Sequence, residues 1–97
     1  MDRAHVIATS KEHAAELRDL GAAHVFLFGS VARDQATAGS DVDLFIDFDD
    51  PHFSLIELAA LKSRLETILR VPADVMTRGS IHPRLRPDIE RTAMQVF

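Results

Sequence analysis

The stretch Phe26–Phe48, FLFGSVARDQATAGSDVDLFIDF, decides how this chain is read. Its last part alternates: Val42, Leu44, Ile46 and Phe48 fall on one side of an extended chain, and Asp41, Asp43, Phe45 and Asp47 on the other. That predicts a strand over Asp41–Phe48. Aspartate is among the residues that strands tend to exclude, so Asp41 and Asp43 at its head are either solvated decoration or hold something positive. Upstream, HVFLF (His24–Phe28) reads as a buried strand, and GSVARD (Gly29–Asp34) as a short helical turn before the polar loop QATAGS.

Working outward, the chain offers few other elements. Thr9 with Glu12 three residues on has the form of a capping box, predicting a helix that runs to Leu20 and stops at Gly21. Asp49, Asp50 and Pro51 end the acidic strand. A second capping box, Ser54 with Glu57, opens a long helix whose apolar stripe is Leu58, Leu61, Leu65, Ile68 and Leu69. VPADVMT (Val71–Thr77) reads as a third strand with proline at its start, and a last helix is expected from Pro87 to Gln95.

Connection lengths arrange these pieces. Ten residues, Val31–Ser40, separate Ser30 from Asp41. A parallel crossover needs about a dozen or more, so the first two strands are expected as antiparallel neighbours. The second and third, joined through a full helix, fit a parallel pair. The expected fold class is α+β, with a small mixed sheet covered by helices on one face and partly open on the other. Gly29 and Ser30 then lie beside Asp41 and Asp43, and Asp74 comes near the same edge.

Size and composition set bounds. The 97 residues fit one small domain with a single core. A net charge of −4 argues against nucleic-acid binding through a basic surface. With no cysteine there are no disulfides or thiolate metal sites. MDRAHVIATS lacks the apolar run of a signal peptide, and no segment reaches membrane-spanning length. A cytoplasmic protein is the expectation.

A single aspartate here reads as a solvated surface acid, and Asp34, Asp47, Asp49 and Asp50 are left so. Asp41 and Asp43 differ by their company. Carboxylates at i and i+2 of a strand stand roughly 6.6 Å apart, where their repulsion at an effective dielectric near 20 is on the order of 2.5 kcal/mol. Asp74 would add to it, and a divalent cation would reverse its sign. A turn opening at Gly29, with exposed N–H groups and no Cβ, admits a phosphate, and Arg33 one turn along offers a cation. Together these describe the two halves of a metal–triphosphate site.

On these residues, GSVARDQATAGSDVDLFIDF resembles the signature of the polymerase-β-like nucleotidyltransferase superfamily: Gly-Ser, a spacer of about ten residues, then Asp-x-Asp among apolar positions. The whole chain resembles a minimal nucleotidyltransferase (MNT) domain, a class that includes antitoxins paired with HEPN-type ribonuclease toxins. The resemblance implies that Asp41, Asp43 and Asp74 bind two Mg²⁺ ions and carry catalysis, with Asp74 helping to deprotonate the acceptor. It implies that Gly29 and Ser30 grip the β- and γ-phosphates of a nucleoside triphosphate, ATP being the expected substrate. Members often carry glycine where this chain has Asp34, which predicts a looser turn at that point.

Two classes of function follow. The first is AMP transfer from ATP to a tyrosine hydroxyl of a cognate HEPN toxin. The second is a non-catalytic antitoxin that neutralises its partner by complex formation. A metal-dependent phosphodiesterase would use the same acids but leaves the Gly-Ser turn without a role. Arg84, Arg86 and Arg91 on the final helix read as a solvated basic face, and the five histidines show no metal-ligand spacing.

Overall fold

The computed structural model describes residues 2–35 and 41–97. The chain opens with α1 (Arg3–Glu12), capped by the Asp2 side chain, which accepts from the His5 N–H at 2.8 Å. The expected Thr9/Glu12 capping box is therefore not the start of a helix. Thr9 lies inside α1, and Asp2 supplies the acceptor that N-terminal amides need. His13 breaks the helix before α2 (Ala14–Asp19), and Gly21, at φ +114°, makes the anticipated stop.

β1 (His24–Phe28) leads into α3 (Gly29–Ala32), and β2 (Val42–Asp47) follows the spacer. Residues 36–40, most of the expected polar loop, lie outside the described residues. α4 (Leu55–Leu69) starts at the Ser54/Glu57 capping box read from the sequence and ends at Arg70 in the left-handed region. Leu61, Leu65 and Leu69 bury its stripe, with Leu58 and Ile68 packed at the margin. β3 (Ala73–Thr77) runs into a 3₁₀ turn (Arg78–Ser80), then α5 (Arg86–Thr92) and β4 (Met94–Gln95).

The sheet order is β3-β2-β1-β4, with β1–β2 antiparallel and β2–β3 parallel, as the connection lengths require. Val25, Leu27, Val42, Leu44, Ile46, Ala73 and Val75 share the main core with Val6 of α1, Leu17 of α2 and the α4 stripe. On the other face Phe28, Phe45 and Ile81 form a smaller cluster with Phe26, Met76, Ile89 and Ala93. The architecture is α+β with a mixed sheet. The final helix stops earlier than expected: Ala93 is extended, and Met94 and Gln95 pair with Leu27 and Phe26 as an edge strand while Val96 enters the core. Tertiary pairing there overrides a locally helical sequence. No helix among the described residues is long and apolar enough to cross a membrane.

Candidate active site

Register brings the acids together. Asp43 stands opposite Phe28 on β1 and opposite Asp74 on β3. Residues opposite one another in a sheet share a face, so the Asp43 and Asp74 carboxylates rise from the same open side. Asp41 sits just before β2, exposed, and close enough to act on Asp43 through space. Asp43 is half-buried. Burial first, then the Asp74 and Asp41 charges, push its carboxyl above the ordinary value, with Arg33 pulling the other way. Half-burial and neighbouring like charge both disfavour its ionised form.

The glycine turn abuts this carboxylate. Gly29 adopts φ +76°, which side-chain-bearing residues rarely do. A Cβ there would overlap Oδ2 of Asp43 and stand 3.2 Å from its Cγ. Glycine is thus required twice, by backbone conformation and by the approach of the acid. No side chain caps α3 among the described residues, and the first-turn N–H groups of a helix have no intrahelical acceptor. Ser30 is half-buried; Arg33 is exposed, with its Nε donating to Gln35 Oε1 at 3.1 Å. Asp34 occupies the left-handed region at φ +55°. The turn keeps the conformation glycine would favour and is not loosened.

Among the described residues no three His, Cys, Asp or Glu side chains are set around one point for a metal ion. The three carboxylates border one edge of the sheet instead of closing a cage. That arrangement suits Mg²⁺, which is usually held by one or two carboxylates plus substrate phosphate oxygens. The carboxylates offer only hard oxygen donors, and the Gly29 turn lies against that of Asp43. A hollow of about 670 Å³ between α1 and the end of α4, lined by Asp2, His5, Thr9 and Ile68–Val71, lies away from these acids.

Sequence reading passed over three residues around the site. Asp47, taken for a surface acid, is held in a fork by Arg78, Nε to Oδ1 at 2.8 Å and Nη2 to Oδ2 at 3.0 Å. Arg78 also pairs with Glu90 and lies over the Phe26 and Phe45 rings at 4.8 and 4.9 Å. The matched spacings 43/47 and 74/78 in parallel strands were the available signal. Glu66, near the end of α4, accepts from the Ala73 N–H at 2.9 Å and fixes the strand just before Asp74. The basic face expected of the last helix is largely paired, Arg86 with Glu90 and Arg91 with Asp88.

Residues 10–95 match the nucleotidyltransferase domain family. A protein of Methanocaldococcus jannaschii, provisionally named a protein adenylyltransferase, is 33% identical over 88 residues, covering 89% of each chain. A solved structure provisionally described as a minimal nucleotidyltransferase superposes with a TM-score of 0.75 and 37% identity, over 97% of this chain and 95% of that one. The fold recurs, at TM-score 0.66 and 19% identity, in a complex of a tri-AMPylated Shewanella oneidensis HEPN toxin with its MNT antitoxin; the match covers 94% of this chain and 71% of that one.

Proposed function

This chain belongs to the nucleotidyltransferase domain family and is an enzyme of that class, and on that footing we propose that it transfers AMP from ATP to a hydroxyl, a tyrosine, of a HEPN-type toxin partner in the cytoplasm. The attacking oxygen forms a bond to the α-phosphorus, the bond to the bridging oxygen breaks, and pyrophosphate leaves with its electron pair. Mg²⁺ bound at Asp41, Asp43 and Asp74 would neutralise the triphosphate and stabilise charge on the pentacoordinate phosphorus. Asp74, exposed on the edge strand, would accept the acceptor's proton. Gly29 and Ser30 present backbone N–H groups to the β- and γ-phosphates, and Arg33 adds positive charge beside them.

One observation carries this reading: Asp43, in register with Asp74, lies directly against the Gly29 turn. This contact supports reading the acids and the glycine turn as two halves of one site. Support for a protein partner comes from elsewhere. Leu55 and Ile56 open α4 with 81% and 80% of their surface exposed, near the exposed Phe48. Adjacent large apolar side chains left in water mark a contact surface.

The test is incubation with α-labelled ATP, Mg²⁺ and the purified HEPN-type protein. Label should appear on that protein with wild type and not with Asp43→Asn. Should Asp43→Asn neutralise the toxin as fully as wild type, complex formation alone is the function and the transfer reading fails.

A further inference from the structure

We propose that Arg3 is a positioning residue for the nucleotide-binding turn, bracing Gly29–Ala32 from the helical layer; the proposal rests on the phosphate role assigned to that turn. α3 has four residues, too few to hold a helical turn unaided. The carbonyls of Gly29, Ser30 and Val31 accept from the Arg33, Gln35 and Asp34 N–H groups, and Asp34 sits at φ +55°, a conformation that L-residues rarely adopt. The Ala32 carbonyl and the Asp34 carboxylate are held from outside the turn.

Arg3 holds them with both arms of one guanidinium. Nη1 donates to the Ala32 carbonyl at 3.1 Å, 29 residues away in sequence, and Nη2 forms an ion pair with the Asp34 carboxylate at 3.0 Å. A planar fork carrying several donors can meet both acceptors at once, which an ammonium cannot do with the same geometry. The arginine is itself anchored. It is the first residue of α1, whose Asp2 cap fixes the helix start and whose Val6 and Ser10 are buried. The brace thus links the main core to the turn that carries Gly29, without entering the site. Asp34 stands where glycine would relieve the backbone, and in exchange offers Arg3 its second acceptor.

The experiment measures binding of a non-hydrolysable ATP analogue with Mg²⁺ by calorimetry, alongside transfer kinetics, for wild type, Arg3→Ala, Arg3→Lys and Asp34→Asn. Arg3→Ala should weaken analogue binding about tenfold, reflecting one lost hydrogen bond and one lost ion pair discounted for partial exposure. Asp34→Asn should weaken it about threefold, and Arg3→Lys should fall between them. The Arg3→Ala/Asp34→Asn double variant should be no worse than Arg3→Ala alone. KM for ATP should rise while KM for the acceptor protein stays within twofold, a split that a general loss of stability would not produce. Arg3→Ala binding the analogue as wild type does, or both KM values rising together with a lowered Tm, overturns the proposal. Wild type failing to bind the analogue overturns the nucleotide reading beneath it, so the two failures are told apart.

Discussion

Asp43 and Asp47 rise from the same face of β2, four residues apart, and the chain on the β3 side sets opposite them Asp74 and Arg78, also four apart. One parallel register makes both meetings. At one end acid faces acid, and burial first, then the Asp74 and Asp41 charges, hold the Asp43 proton more tightly than usual. At the other, Arg78 forks onto Asp47, takes Glu90 on its free side and lies over two stacked phenylalanine rings. Asp47 first and Glu90 second hold the Arg78 proton well above the ordinary arginine range. The same residue type thus serves stability where its charge is answered within the protein, and in the proposed function serves chemistry where the answer must come from outside. A one-residue slip of β3 would destroy both ends together.

The largest effect that would break this comparison comes from neutralising its unanswered end. Asp43→Asn should lower AMP transfer at least about 100-fold, because a metal-binding carboxylate is lost. The variant should nevertheless melt no lower than wild type without metal, and about 2–4 °C higher if the relieved repulsion is on the order of half a kcal/mol. Transfer assays and calorimetric melts on the same preparations check both. Loss of activity accompanied by a lowered Tm would mean that Asp43 is structural, like Asp47.

Gly29→Ala attacks the same corner from the backbone. The new Cβ must displace the Asp43 carboxylate and occupy φ +76°. Transfer should fall tens of fold, with about 1–2 kcal/mol of stability lost to the strained conformation. Chemical denaturation separates the two losses. An alanine variant retaining wild-type KM for ATP would show that phosphates do not rest on this turn.

The answered end should respond in the opposite sense. Asp47→Ala leaves Arg78 half-buried with one carboxylate fewer and should cost about 1–2 kcal/mol, a Tm drop of roughly 4–8 °C for a domain of this size. AMP transfer per folded molecule should stay within about twofold, since Asp47 lies four residues, about 13 Å of strand, beyond Asp43. A drop in kcat comparable to that of Asp43→Asn would erase the distinction between the ends.

How far the sequence foretold this division depends on the range of the signal. Gly29, Ser30, Asp41 and Asp43 were legible because the motif is local and its two halves are joined by a short connection that fixes the pairing. The Ser54/Glu57 box and the α4 stripe were legible for the same reason. Asp74 could be placed only by connection length, and its facing was settled by the register. Asp47 looked like decoration because its partner lies 31 residues away, and Thr9/Glu12 imitated a cap because a local pattern cannot show that a helix has already begun at Asp2. β4 was hidden altogether, since its two residues are strand only by virtue of Phe26 and Leu27.

The smallest effect is the most specific to the unanswered end, and pH reads it. A carboxyl whose pKa is raised by folding binds more protons in the folded than in the unfolded state between its two pKa values. The contribution of Asp43 to metal-free stability therefore falls as pH rises through that window, and is recovered as pH falls through its raised folded value. Glu16 and Glu57, whose carboxyls are held below the usual range by hydrogen bonds from Arg64 and Ser54, act in the opposite direction. The whole-protein profile mixes the two. Subtracting the Asp43→Asn profile from that of wild type isolates the acid end: the variant's advantage in Tm should be greatest near neutral pH and vanish toward pH 4. Saturating Mg²⁺ with the ATP analogue should reverse that advantage at neutral pH, because ligand binding stabilises only the protein that retains the carboxylate. A pH-independent difference between the two proteins would show that Asp43 carries no electrostatic strain for a cation to relieve.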